Sequence, residues 1–109
     1  MTDEEIIKLV IEGDIEKYGE IIVRYEKRLR GFIYKLMGNS LEIDDLVEDS
    51  LISAYQNLNG FDKKLQFSSW ILRIAHNKTV DFIKKKNQNS SGTTKLRITN
   101  YELRMKMKS

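Results

Sequence analysis

Cysteine and proline are both missing from the 109 residues, and histidine and tryptophan occur once each. Without cysteine the chain has no disulfide framework, no thiolate zinc site and no thiol nucleophile. Without proline nothing deletes a backbone N–H from the middle of a helix. No apolar run reaches the length of a membrane span or of a secretory leader, so the expected setting is cytoplasmic, away from any membrane. His76 has no second histidine to join it, and Asp81, five residues on, falls on a different side of a helix. Ser50, Ser53, Ser68 and Ser69 have no general base at a recognisable spacing, and no glycine-rich phosphate loop is present. The expected class is therefore a binding protein that is not an enzyme and needs neither cofactor nor metal.

What the chain does have is helical periodicity. A length of 109 residues fits one domain that buries roughly two thirds of its unfolded surface. Thr2 and Glu5 form a capping-box pair ahead of Ile6, Ile7, Val10 and Ile11, a short first helix laid as a lid on the core and closed by Gly13, with Asp14 placed to cap the next helix. A second stripe runs through Ile15, Tyr18, Ile22, Tyr25, Leu29, Phe32, Ile33 and Leu36 to a stop at Gly38. Gly19 and Gly31 inside it predict close helix contacts, with simple tolerance as the competing reading. Asn39 or Ser40 is placed to cap a third helix with the stripe Ile43, Leu46, Val47, Leu51, Ala54 and Leu58, ended by Gly60. A fourth spans about Phe67 to Lys86, its terminal lysines complementing the dipole. The expected fold is all-α: a compact bundle of about four helices over residues 1–86. A polar linker at 87–94 and an unassigned basic tail at 95–109 follow, the whole reading as a flexible basic C-terminal tail.

Charge divides along the chain. Residues 1–62 carry 7 Lys+Arg against 14 Asp+Glu, a balance of −7, and residues 63–109 carry 12 against 2, a balance of +10. This asymmetry points to a polyanion at the second half and a basic protein surface at the first, against the plainer reading of solvated helix faces. The cluster Asp44, Asp45, Glu48 and Asp49 is read as a solvated or protein-docking face ahead of a hard-cation site. Between the third and fourth helices, Phe61 and Phe67 flank Lys63 and Lys64, and Trp70 precedes Arg73. Aromatic rings beside cations suit unpaired bases, which stack for about 1 to 3 kcal/mol each while the cations neutralise phosphate. Trp70 among Ile71, Ile74 and Ala75 reads mainly as core, whereas Phe61 in the loop is the ring expected to be exposed.

These residues carry a resemblance. Asp45-Leu46-Val47-Glu48-Asp49, Ala54-Tyr55, Phe61-Asp62, the run Phe67-Ser68-Ser69-Trp70-Ile71-Leu72-Arg73-Ile74-Ala75-His76-Asn77 and Val80-Asp81 resemble the second region of bacterial sigma factors of the extracytoplasmic-function type. Tyr25-Glu26 with Leu29-Arg30 resembles the helix that family places upstream, so the likeness covers most of residues 15–86. It implies a domain that docks on the largest (β′) subunit of core RNA polymerase and recognises and melts the promoter −10 element by capturing its non-template single strand. By family pattern, Asp45, Glu48 and Asp49 meet basic residues of the polymerase, with Leu46 counted in the docking segment and partly core. Phe61, Asp62, Lys63, Lys64 and Leu65 inherit the loop that holds an extruded base. Arg73 faces phosphate, Asn77 a base edge, and Lys84 and Lys85, with Lys86, the strand backbone. An anti-sigma partner is compatible with the same implication.

The sequence departs from the family pattern at Glu48-Asp49, where Gln-Glu is usual, and at Tyr55, where tryptophan is frequent. The family's helix-turn-helix domain has no counterpart, since residues 95–109 are too few for three packed helices, and an excised domain is the expectation. Two other readings stay open at this point. One is a sigma-like interaction module that binds polymerase or an anti-sigma protein without opening DNA. The other is a generic basic helical binder of duplex DNA.

Overall fold

Thr2 begins the fold as a capping box: its hydroxyl accepts from the Glu5 N–H at 3.1 Å, and its own N–H donates to the Glu5 carboxylate at 2.7 Å. These hydrogen bonds, the backbone one foremost, hold the Glu5 carboxyl below its usual range. The computed structural model describes residues 1–89, with side chains to Asn87. Helix α1 spans Asp3–Ile11 and ends in a Schellman motif. The Gly13 N–H donates to the Val10 carbonyl, the Asp14 N–H to that of Leu9, and Gly13 takes φ +118°, where a Cβ would be strained. A 3-10 turn, Ile15–Lys17, leads into α2, Tyr18–Met37; α3 is Ile43–Gln56; a second 3-10 turn, Leu58–Gly60, and a loop lead into α4, Phe67–Asn89. Four α-helices and no strand among the described residues make the all-α bundle that the periodicity predicts.

Helices α2, α3 and α4 pack on one another, and α1 lies across α2, touching α4 and the second 3-10 turn. Ile6, Ile7 and Val10 of α1 are buried, so α1 is the expected lid. The α3 stripe is buried at all six of its positions. Two buried hydroxyls are satisfied within their own helices, Ser50 by the Leu46 carbonyl and Thr79 by that of Ala75. The Tyr18 hydroxyl reaches from α2 to the Leu51 carbonyl of α3 at 2.5 Å, and burial, with Tyr55 adding to it, pushes its pKa upward.

Several expectations need correction. The α2 stripe that is buried is Tyr18, Ile21, Tyr25, Leu29 and Ile33, while Ile15, Ile22 and Leu36 are exposed. The helix starts at Tyr18, so the chain before it contributes a tighter turn with a different phase. Neither Gly19 nor Gly31 meets a close neighbour: a Cβ at either would find nothing within 4 Å. Asp14 makes no side-chain cap. Ser40 binds the Glu42 N–H at 3.2 Å and so organises the entry turn, while α3 itself begins at Ile43 with no side-chain cap. The helix α3 stops at Gln56, ahead of Gly60, and α4 runs three residues past Lys86 into the stretch read as linker. The tail at 95–109 lies outside the described residues.

Candidate functional site

Three surfaces follow from this packing. The first is a groove of about 780 Å³ between α2 and α3, floored by Tyr18, Ile22, Val47, Leu51 and Tyr55, with Glu26, Asp44 and Glu48 among its charged lining. Arg30 reaches across it, its Nε to the Asp44 carboxylate at 3.0 Å and its Nη2 to Glu26 at 3.8 Å. No α4 residue lines the groove. Asp45 and Glu48 are exposed, as a docking role requires. Leu46 (2% exposed) and Asp49 (6%) are not. Helix α3 is packed by α2 on one side and α4 on the other, so its buried arc is broad enough to take in position 49 next to Ser50.

The second surface is the loop of residues 61–66. Its turn is internally bonded: the Lys64 N–H donates to the Asp62 carboxylate at 2.9 Å, and the Leu65 N–H to the Asp62 carbonyl at 2.9 Å. Asp62, Lys63, Lys64, Leu65 and Gln66 are exposed. Phe61 is not: it is 7% exposed, which corrects the expectation of a displayed ring. Its ring lies 5.1 Å from that of Trp70 and 5.6 Å from that of Phe67, centroid to centroid. Phe67 is also edge-on to Tyr25, 5.6 Å away. The loop is therefore a five-residue exposed turn pinned at both ends by buried phenylalanines. Trp70, half-buried against the core, has the mainly structural place its neighbours in sequence predict.

The third surface is the outer face of α4. Arg73 and Asn77 are both exposed and one turn apart, so their Cβ atoms lie about 5 to 6 Å from each other. Ser69 and His76 share this exposed side, and Lys84 continues it two turns beyond Asn77, while Lys85 and Lys86, also exposed, point to other sides of the helix end. The opposite side, with Phe67, Ile71, Ala75 and Thr79, is buried. One helix thus presents a polar stripe, with Arg73 and Lys84 as its cations, that begins beside the loop.

Sequence reasoning did not find the groove. Ile22 of α2 and Ile15 of the 3-10 turn before it mark a second apolar face, which the sequence pattern merges with the core stripe. It also missed Glu4, whose carboxylate accepts from the Phe67 N–H at 3.0 Å, because no local pattern announces a partner 63 residues away.

Residues 21–89 match the Sigma-70 region 2 family. The ECF RNA polymerase sigma factor SigW of Bacillus subtilis is 38% identical over 86 residues, which cover 79% of this chain and 46% of SigW; the chain spans about half the length of the curated relatives it matches. An engineered region 2 of sigmaE, solved by NMR in complex with GTAAAA, superposes with a TM-score of 0.75 at 27% identity, covering 82% of this chain and 93% of that one. CnrH, solved in complex with the cytosolic domain of CnrY, gives a TM-score of 0.66 at 25% identity over 72% and 51% of the two chains. The all-α bundle and these matches agree, and the chain belongs to Sigma-70 region 2 in its extracytoplasmic-function form.

Proposed function

We propose that this domain captures the single-stranded −10 element of a promoter while docked on core RNA polymerase, in the cytoplasm and without chemistry of its own. The observation that carries the reading is the likeness to a region 2 solved with GTAAAA, which extends over nearly the whole of that chain. The exposed turn of Asp62 to Leu65 receives an extruded base, and its enclosure compensates the stacking lost on extrusion, a few kcal/mol. Phe61 serves from below, fixing the turn. Arg73, Lys84 and Lys85 meet phosphates, and Asn77 reads a base edge. The α2–α3 groove, with Asp45 and Glu48 at the acidic end of α3, receives a basic apolar helix of the polymerase β′ subunit. Complementary charge there speeds encounter and fixes register. CnrH held by the cytosolic domain of CnrY supports a second occupant of such a domain, an anti-sigma protein.

The test is salt-dependent binding of a labelled GTAAAA single strand to the whole chain. With about four cations on single-strand phosphates, the logarithmic salt slope is near −3, and Arg73→Ala reduces its size by about 0.7. A slope close to zero would defeat the phosphate assignments. Asp45→Lys with Glu48→Lys abolishes polymerase capture and spares strand binding; the reverse pattern, or loss of both in a folded chain, excludes the division of labour.

A further inference from the structure

The first turn of α1 holds the root of the loop. Glu4 accepts from the Phe67 N–H, the first of α4. Helix α4 has no acidic residue in its first turn, and Gln66, just before it, is a weak capping type. The carboxylate that complements this helix terminus therefore arrives from another helix. Its neighbour Asp3 accepts from the Tyr25 hydroxyl and from Arg24 Nη1 at 2.9 Å, while Arg24 Nη2 donates to the Met1 carbonyl at 2.7 Å. Asp3 thus fastens α1 to α2 and Glu4 fastens it to α4, on two sides of the Tyr25–Phe67 ring contact. Only Gln66 separates Phe67 from the internally bonded turn of Asp62 to Leu65.

We propose that Glu4 is a positioning residue for strand capture: by fixing the Phe67 amide it sets where the 62–66 turn stands over the α4 face, and so the fit of the extruded base. The inference rests on the strand-capture reading above. Glu4 touches no base and no phosphate. It acts through the loop, so its loss weakens discrimination between bases more than it weakens phosphate attraction. Glutamine keeps an acceptor oxygen at the same reach, whereas alanine does not.

Two measurements on the whole chain decide it, with Glu4→Ala and Glu4→Gln. In amide hydrogen exchange of the free protein, Glu4→Ala speeds exchange at Phe67 and Leu65 by about tenfold, as expected for the loss of a hydrogen bond to a charged acceptor. Core amides of α2 and α3 are unchanged, and Glu4→Gln recovers most of the protection. In binding of GTAAAA and of six variants, one substituted at each position, Glu4→Ala narrows the spread of affinities severalfold at unchanged salt slope, and Glu4→Gln restores it. Unaltered exchange at Phe67 and Leu65 overturns the inference, as does a Glu4→Ala chain that discriminates as well as the parent. A parent chain with no base preference at all overturns the strand-capture reading itself, and the exchange data then show whether the bracket exists without that use.

Discussion

Removing the Phe61 ring empties the space between Phe67 and Trp70, and truncation of a buried phenylalanine to alanine costs about 3 to 5 kcal/mol. Phe61→Ala is accordingly expected to lower the denaturant midpoint and, at temperatures where the chain stays folded, to weaken single-strand binding while polymerase capture persists. Unchanged strand affinity in a folded Phe61→Ala protein would remove Phe61 from the loop's function. The position of this ring was not legible from its neighbours. A phenylalanine between Gly60 and Asp62 reads as loop, and loop composition does not say which way a side chain points; the closing 3-10 turn, with the Phe61 N–H on the Leu58 carbonyl at 3.0 Å, turns it inward. Asp49 was opaque for a related reason, since a carboxylate in an acidic run reads as surface until two helices are found packing its own. The exposure of Arg73 and Asn77, by contrast, was readable, because the buried side of α4 runs through Phe67, Ile71, Ala75 and Thr79 and they lie on the other.

Helix α2 carries an untapped margin of stability. Gly31 is helical and exposed, and a Cβ there meets nothing within 4 Å. Gly31→Ala is expected to stabilise the protein by about 0.5 to 1 kcal/mol, through helix propensity and a less entropic unfolded chain. Equilibrium denaturation checks the sign, and a destabilised variant would mean that a neighbour approaches this face after all. Element by element, the four helices were visible in the sequence because each has a stripe, and three of their boundaries because a cap or a glycine stands there. The phase of α2 was not, since its start shifts from Ile15 to Tyr18 once the preceding residues wind as a 3-10 turn. That shift moves Ile22 out of the core and into the groove, so an error of phase concealed a surface.

The whole molecule responds to pH through groups that tie its helices together. Burial is the main cause that raises the Tyr25 pKa, followed by its hydrogen bond to Asp3, and burial also raises that of Tyr18. An unfolded tyrosine titrates near 10, so these two contribute stability that is complete below about pH 10 and is lost as pH rises beyond it, where only the unfolded chain has released its protons. Denaturation series from pH 8 to 11 should fall in midpoint at the alkaline end, and Tyr25→Phe should flatten part of the fall; an equal decline in that variant would assign the loss elsewhere. Glu5 works in the opposite sense: its lowered carboxyl keeps the capping box above the ordinary carboxylate range and surrenders it as pH falls through the folded value. The Arg30–Asp44 pair across the groove has a further bearing on how a partner enters. Both side chains are well exposed, Asp44 at 79%, and an exposed pair of this kind is worth about 0 to 1 kcal/mol. For the docking proposed above, the rim can therefore exchange ions: an incoming lysine or arginine replaces Arg30 on Asp44 at little cost, and the further carboxylates of Glu26 and Glu48 in the lining favour such a cation over an acidic visitor.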